Sequence, residues 1–171
     1  MIVADASALI ALTKMERLPL LKQVYGGVLI GPLVKAETVD AGKRISAPGA
    51  RQIENAIDDG WIQVGRLSPK EKKLMQSILE KSRLDDGESE CIALASSRRL
   101  PVILDDKEAR SFAEALGSVF FGTAAVLLHG LISKHLTLGE LEEAVQELSN
   151  TIWLAPAVVA KILKAGREVK K

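Results

Sequence analysis

The sequence predicts an α/β fold with a mostly parallel central sheet covered on both faces by helices. Three observations carry this. Short unbroken apolar runs recur along the chain: Ile2-Val3-Ala4, Val28-Leu29-Ile30, Pro101-Val102-Ile103-Leu104 and Val119-Phe120-Phe121. Continuous apolar strands are those buried on both faces. Amphipathic segments with helical spacing separate them, which is the alternation of βαβ units. Finally, 171 residues with 47% hydrophobic and 26% charged side chains make a globular composition of a size for one domain.

Taken in order, Ile2–Ala4 is a strand ending at Asp5. Ala8, Leu9, Ile10 and Leu12 then form one face of a helix to Lys14. Leu18, Leu20, Leu21 and Val24 make a second short helix, stopped by Gly26-Gly27 before the strand Val28–Ile30. Pro32 suits a first helical position, and Leu33, Val34, Ala36 and Val39 continue that helix. The stretch 41–49, with two glycines, a proline and a serine, reads as a loop. A helix over 50–58 precedes an edge strand at Trp61–Val64. Ser68-Pro69-Lys70-Glu71 combines an N-cap, a proline at the first position and a capping glutamate, and starts a helix to Ser82. Asp85-Asp86-Gly87-Glu88 opens the next helix, ended by Arg98-Arg99. The strand 101–104 stops at Asp105-Asp106. A helix over 107–116, the strand 119–121 and helices over 124–130, 138–148 and 156–169 complete the chain. The expected organisation is one domain over 1–171, with a C-terminal helical extension from about residue 134.

Composition excludes several function classes. Cys91 is alone, so no intramolecular disulfide forms, and the count suits a reducing cytoplasm. With two histidines, His129 and His135, and one cysteine, a Cys/His zinc site is excluded. Neither a signal peptide nor a membrane span is expected, because Asp5 interrupts the first apolar run and Val119–Leu128 is too short to span. A net charge of +1 gives nucleic acid no general attraction. Any basic surface must be local, and two are available. Lys43, Arg44 and Arg51 flank the 41–49 segment. The tail 157–171 carries Lys161, Lys164, Arg167, Lys170 and Lys171 against Glu168 alone.

Ligands of a parallel sheet bind outside the carboxyl ends of its strands. The first strand delivers Asp5 there, the second leads through Pro32 to Glu37, and the third delivers Asp105 and Asp106. The helix opening at Glu88 runs toward that third strand, so its start lies at the same edge. Singly, each acid has a plainer reading. Asp5, Asp106 and the pair Asp85/Glu88 suit helix caps. Glu37 does not, because its helical neighbours face inward. Carboxylates converging on one rim repel one another, and a cation relieves this. Oxygen donors without histidine or cysteine suit Mg²⁺ or Mn²⁺, which activate water for phosphodiester hydrolysis.

The ordered set Val3-Ala4-Asp5-Ala6-Ser7-Ala8-Leu9-Ile10, Glu37 after Gly31-Pro32-Leu33-Val34, Asp86-Gly87-Glu88-Ser89-Glu90, Ile103-Leu104-Asp105-Asp106 and Phe121-Gly122-Thr123 resembles the PIN-domain ribonucleases, most closely the VapC-like branch. The resemblance implies a three-layer α/β/α sandwich and a Mg²⁺- or Mn²⁺-dependent acidic site cleaving RNA. It further implies frequent homodimers and, in many relatives, a toxin neutralised by a small antitoxin. By correspondence Asp5, Glu37, Glu88 and Asp106 are the catalytic acids, with Asp5, Glu88 and Asp106 as metal ligands. Asp105 is an alternative to Asp106, and Ser7 and Thr123 are supporting hydroxyls. Lys43, Arg44, Arg51, Lys164 and Arg167 are candidate RNA contacts. Two other readings are open: a catalytically weak PIN-like RNA- or protein-binding module, and an aspartyl phosphotransfer domain with Asp5 as nucleophile. Glu90, two residues beyond Glu88 and on another side of the helix, is expected to be solvated or behind the site. Cys91, Trp61 and Trp153 are expected to pack.

Overall fold

The computed structural model describes residues 1–169. Five strands, β1 (Ile2–Ala4), β2 (Val28–Ile30), β3 (Ile62–Val64), β4 (Val102–Ile103) and β5 (Phe120–Phe121), form one sheet in the order β3-β2-β1-β4-β5. Every pairing is parallel. Ile2 lies opposite Val28, Ala4 opposite Ile103, and Ile103 opposite Phe121. Each strand of β1, β2 and β4 is fully buried, as unbroken Val/Ile/Leu runs between two helical layers must be.

The helices are α1 (Ala6–Lys14), α2 (Pro19–Tyr25), α3 (Pro32–Lys35), α4 (Gly42–Arg44), α5 (Pro48–Asp58), α6 (Pro69–Lys81), α7 (Asp86–Arg98), α8 (Lys107–Ala115), α9 (Thr123–Ile132), α10 (Leu138–Thr151) and α11 (Pro156–Val169). In one layer α7 packs between α6 and α8 and against β1 and β4. In the other α1 packs on α5 and α10, while α9 packs on α2, α10 and α11. The result is a three-layer α/β/α sandwich. The expected starts of α6 and α7 are both closed by capping boxes, Ser68 with Glu71 and Asp85 with Glu88. Glu71 is also bonded by Arg98 (2.7 Å), which ties α6 to the end of α7.

Three expectations need correction. The helix begun at Pro32 does not stay regular. Ala36–Ala41 is π-helical. The Thr38 hydroxyl donates to the Val34 carbonyl (2.8 Å), an acceptor the regular ladder would use, and such side-chain insertion widens a turn. The 41–49 segment is not a loop either, because α4 and the start of α5 occupy most of it. Gly42 does not break the chain there. It permits close packing, since a Cβ on it would lie 2.7 Å from that of Ala50. Trp153 does not pack: at 84% exposure it stands in the link between α10 and α11. Trp61 is half-buried against the core, and Cys91 is fully buried.

The tail helix exists as α11, with Ile162 and Gly166 turned inward. Lys170 and Lys171 lie outside the described residues. Among the described residues no helix is long and apolar enough to cross a membrane.

Leu94, fully buried on α7, holds that helix in the core. Leu94→Ala is expected to lower stability by about 3 kcal/mol, read as a lower urea midpoint at unchanged m-value.

Candidate active site

In the order β3-β2-β1-β4-β5 the chain winds outward from β1 to β3, then returns to place β4 on the other side of β1. The connections leaving β1 and β4 therefore diverge to opposite faces, and a crevice opens between them at the carboxyl edge. Asp5 leaves β1 into this crevice, and Asp105-Asp106 leave β4 into it.

Asp5 is 4% exposed. It caps α1, its Oδ1 accepting from the Ala8 N–H (2.8 Å) and its Oδ2 from the Ser7 hydroxyl (2.9 Å). Burial dominates over these bonds, and the charges of Asp105 and Glu88 add to it, so the carboxyl is pushed from 3.8 up to about 7. The plainer reading, a helix cap, is therefore correct as geometry, yet a solvated cap would serve the helix without that penalty.

Asp5, Ser7, Glu37, Asp85, Gly87 and Glu88 line one cleft of about 60 Å³, together with Ala6. Burial and the Asp85 charge raise the pKa of Glu37. Burial also raises that of Glu88, helped by the charges of Asp85, Asp106 and Glu108 and opposed by its bond from the Asp85 N–H. Asp105 accepts twice from Thr123, from its N–H (2.9 Å) and its hydroxyl (2.5 Å). Thr123 is fully buried at the start of α9, so β5 and α9 hold Asp105 from the far side of the crevice. Asp106 caps α8 through Ala109 (2.8 Å). Arg110 donates to the carbonyls of both Asp105 (2.8 Å) and Asp106 (3.3 Å), bracing the turn that presents them. Asp105 thus bears on Asp5, and Asp106 on Glu88.

Among the described residues no lysine or arginine lines the cleft. Its donors are oxygens only, the set hard divalent cations take. Yet among the described residues no three acidic, histidine or cysteine side chains already meet as a metal cage. The reason is visible in the bonds above. Glu88 folds back on the Asp85 N–H (3.2 Å), Asp105 is engaged by Thr123 and Asp106 by Ala109.

Asp85 joins this region without being singled out by the sequence, and Glu90 takes the second of its two expected places, behind the site. Asp85 reads in sequence as a cap and nothing more. Glu90 is not solvated: it is 2% exposed, its carboxylate accepting from Leu33 and Val34 on α3. The basic candidates divide. Arg44 and Arg51 are exposed, while Lys43 pairs with Glu54 and Arg167 with Glu142 (2.8 Å). A Cβ on Gly166 would touch Leu131, which lies eight residues along α9 from Thr123, about 12 Å. The tail bases near Gly166 thus sit toward the end of α9 remote from the acids. A larger cavity of about 570 Å³, lined by Leu100, Pro101, Leu116 and Val119 among others, lies at the opposite edge of the sheet and contains no carboxylate.

A family model described as DUF3368, a PIN domain, matches residues 1–168. The chain belongs to the PIN-domain family. PIN domains are typically nucleases, hydrolases of nucleic acid, and they generally use divalent metals. No curated protein and no solved structure matches the chain. Membership sets aside the aspartyl phosphotransfer reading. In this PIN domain α10 and all of α11 but its last residue, Val169, fall within the matched span.

The raised carboxyl of Asp5 has a consequence for pH. The unfolded chain ionises it near 3.8, the folded PIN domain only near 7. The folded state therefore holds the proton more tightly. Asp5 costs nothing below about 4, costs more as pH rises, and costs its full amount above about 7, on the order of 4 kcal/mol without a cation. With chelator present, Asp5→Asn is expected to be more stable than the parent at pH 8 by 2 kcal/mol or more, on the order of the same penalty. The gap closes toward pH 4 in urea titrations. A parent chain as stable as the variant at pH 8 contradicts the burial argument.

Proposed function

We propose that this PIN domain is a Mg²⁺- or Mn²⁺-dependent ribonuclease. One observation carries the reading: a buried carboxylate, Asp5, is held without a basic partner at the rim where Glu37, Glu88 and the Asp105-Asp106 turn also arrive. A fold that served only its own stability would gain by replacing or neutralising that group.

Asp5, Glu88 and Asp106 would hold the cation, with Glu37 as a further ligand or as the group that orients the attacking water. Asp105, fixed by Thr123, would brace the β4 side of the site. Ser7 donates to Asp5 Oδ2 and so aims its lone pairs, as outer groups do around metal ligands. The bound ion would acidify a water and neutralise charge on the scissile phosphate. Arg44 and Arg51, both exposed, would follow the RNA backbone, with Lys43, Lys164 and Arg167 as weaker candidates because of their pairing or position. An antitoxin partner and a homodimer rest on the VapC-like resemblance alone, and cytoplasmic action on the single cysteine.

One observation favours the second reading, a catalytically weak RNA- or protein-binding module: Glu88 is engaged in its capping box and no cage is preformed. Cleavage decides between the two. The purified chain is expected to cleave RNA with Mn²⁺ and to stop with chelator. Asp5→Asn is expected to lose cleavage while keeping its fold. Mn²⁺ at a hundred times its Kd should stabilise the parent by about 2.7 kcal/mol and the variant not at all. Equal cleavage by Asp5→Asn overturns the assignment, and Mn²⁺-independent RNA binding without cleavage establishes the binding module. For the backbone contacts, replacing Arg44 and Arg51 together by alanine should flatten the dependence of log K on log salt by about 1.4 for single-stranded RNA. An unchanged slope removes both from the interface.

A further inference from the structure

Glu90 is a carboxylate in the core, 2% exposed, on the first turns of α7. Its Oε2 accepts from the N–H groups of Leu33 (3.0 Å) and Val34 (3.3 Å). These are the exposed donors of the first turn of α3, whose own N-cap, Gly31, has no side chain to offer. Pro32 has no N–H, and the Lys35 N–H reaches the Gly31 carbonyl (3.1 Å). Glu90 thus completes the N-terminal hydrogen bonding of a helix distant in sequence. The fit is tight: a Cβ on Gly31 would overlap the Glu90 carboxylate.

The two elements joined are those that carry opposite walls of the acidic cleft. α7 also presents Glu88, two residues away on a different side. α3 leads directly into the π-helical turn that presents Glu37. Gly87 shows how close the walls come, since a Cβ there would lie 3.5 Å from Glu37 Oε2 and 3.4 Å from Asp85 Oδ1.

We propose that Glu90 is a positioning residue, a clasp between α3 and α7 that sets the separation of Glu37 from Glu88 across the cleft. It touches neither substrate nor cation and acts through Glu37. The proposal rests on the ribonuclease reading for its effect on rate, though not for the clasp itself.

The test uses the full chain and Glu90→Ala, Glu90→Gln, Gly31→Ala, Glu37→Gln and the Glu90→Ala/Glu37→Gln pair. In chelator, hydrogen exchange at the Leu33 and Val34 amides should lose protection in Glu90→Ala and keep it in Glu90→Gln, whose amide oxygen can accept the same two bonds. Protection retained in Glu90→Ala overturns the clasp whatever the activity. In Mn²⁺-dependent RNA cleavage, kcat should fall about 10- to 100-fold in Glu90→Ala with KM little changed, and Glu90→Gln should recover most of the loss. Gly31→Ala displaces the same carboxylate from the other side and should reproduce the loss with Glu90 intact, which keeps the test open should Glu90→Ala not fold. The double variant should be no slower than Glu37→Gln alone; multiplying losses overturn action through Glu37 and leave a purely structural residue. A parent chain that cleaves no RNA sinks the ribonuclease reading, and the exchange measurement still decides the clasp.

Discussion

Burying the Asp5 carboxylate among other acids is the constraint around which the carboxyl edge of this sheet is arranged. Desolvation opposes its charge, and Asp105 and Glu88 oppose it further. Two hydrogen bonds, from Ala8 and Ser7, offset only part of this. The neighbouring acids other than Glu37 are held in the same manner, by a bond to a helix start or to a buried hydroxyl. Asp105 is fastened to Thr123, Asp106 to Ala109 and Glu88 to Asp85. Helix starts are suited to this task, since their free N–H groups and dipoles favour negative charge. The cluster thus gathers acidic side chains around a cleft that, among the described residues, no lysine or arginine lines.

The core makes that strain tolerable. β1, β2 and β4 are buried on both faces, and α7 is buried along most of its length. A centre of this size contributes far more apolar burial than one ionised carboxylate removes. The acids sit where strands end and helices begin, so their backbones are fixed by the sheet while their side chains face the crevice. Rigid elements on every side leave side-chain rotation, such as that of Glu88 off its cap, as the motion open to the cleft.

Much of this was legible before any coordinates. The unbroken apolar runs name β1, β2, β4 and β5, and the capping signals at Ser68 and Asp85 mark where α6 and α7 begin. Asp5, Glu37, Glu88 and the Asp105-Asp106 pair follow from asking what each strand delivers to one edge, a question that needs only parallel topology. The errors share a cause. The glycines of 41–49 carry the same signal whether they break a helix or let two helices touch, and Gly42 does the second. Trp153 is apolar enough to pack, but nothing local says that its link runs over the surface.

The sequence by itself therefore determined the parallel sheet, most of the helices and which acids lie at strand ends and helix starts, because periodicity, capping and strand ends are properties of neighbours along the chain. Only the tertiary structure decided how those acids are occupied. Asp105 is bound by Thr123 on the adjacent strand's connection, Asp85 joins the cleft wall, and Glu90 turns away from solvent to α3. Each of these depends on a partner 18 or more residues distant or on the closing of two helices across a crevice. Spacing on one helix tells which side a carboxylate leaves from; the element that waits there is set by how the sheet winds and closes.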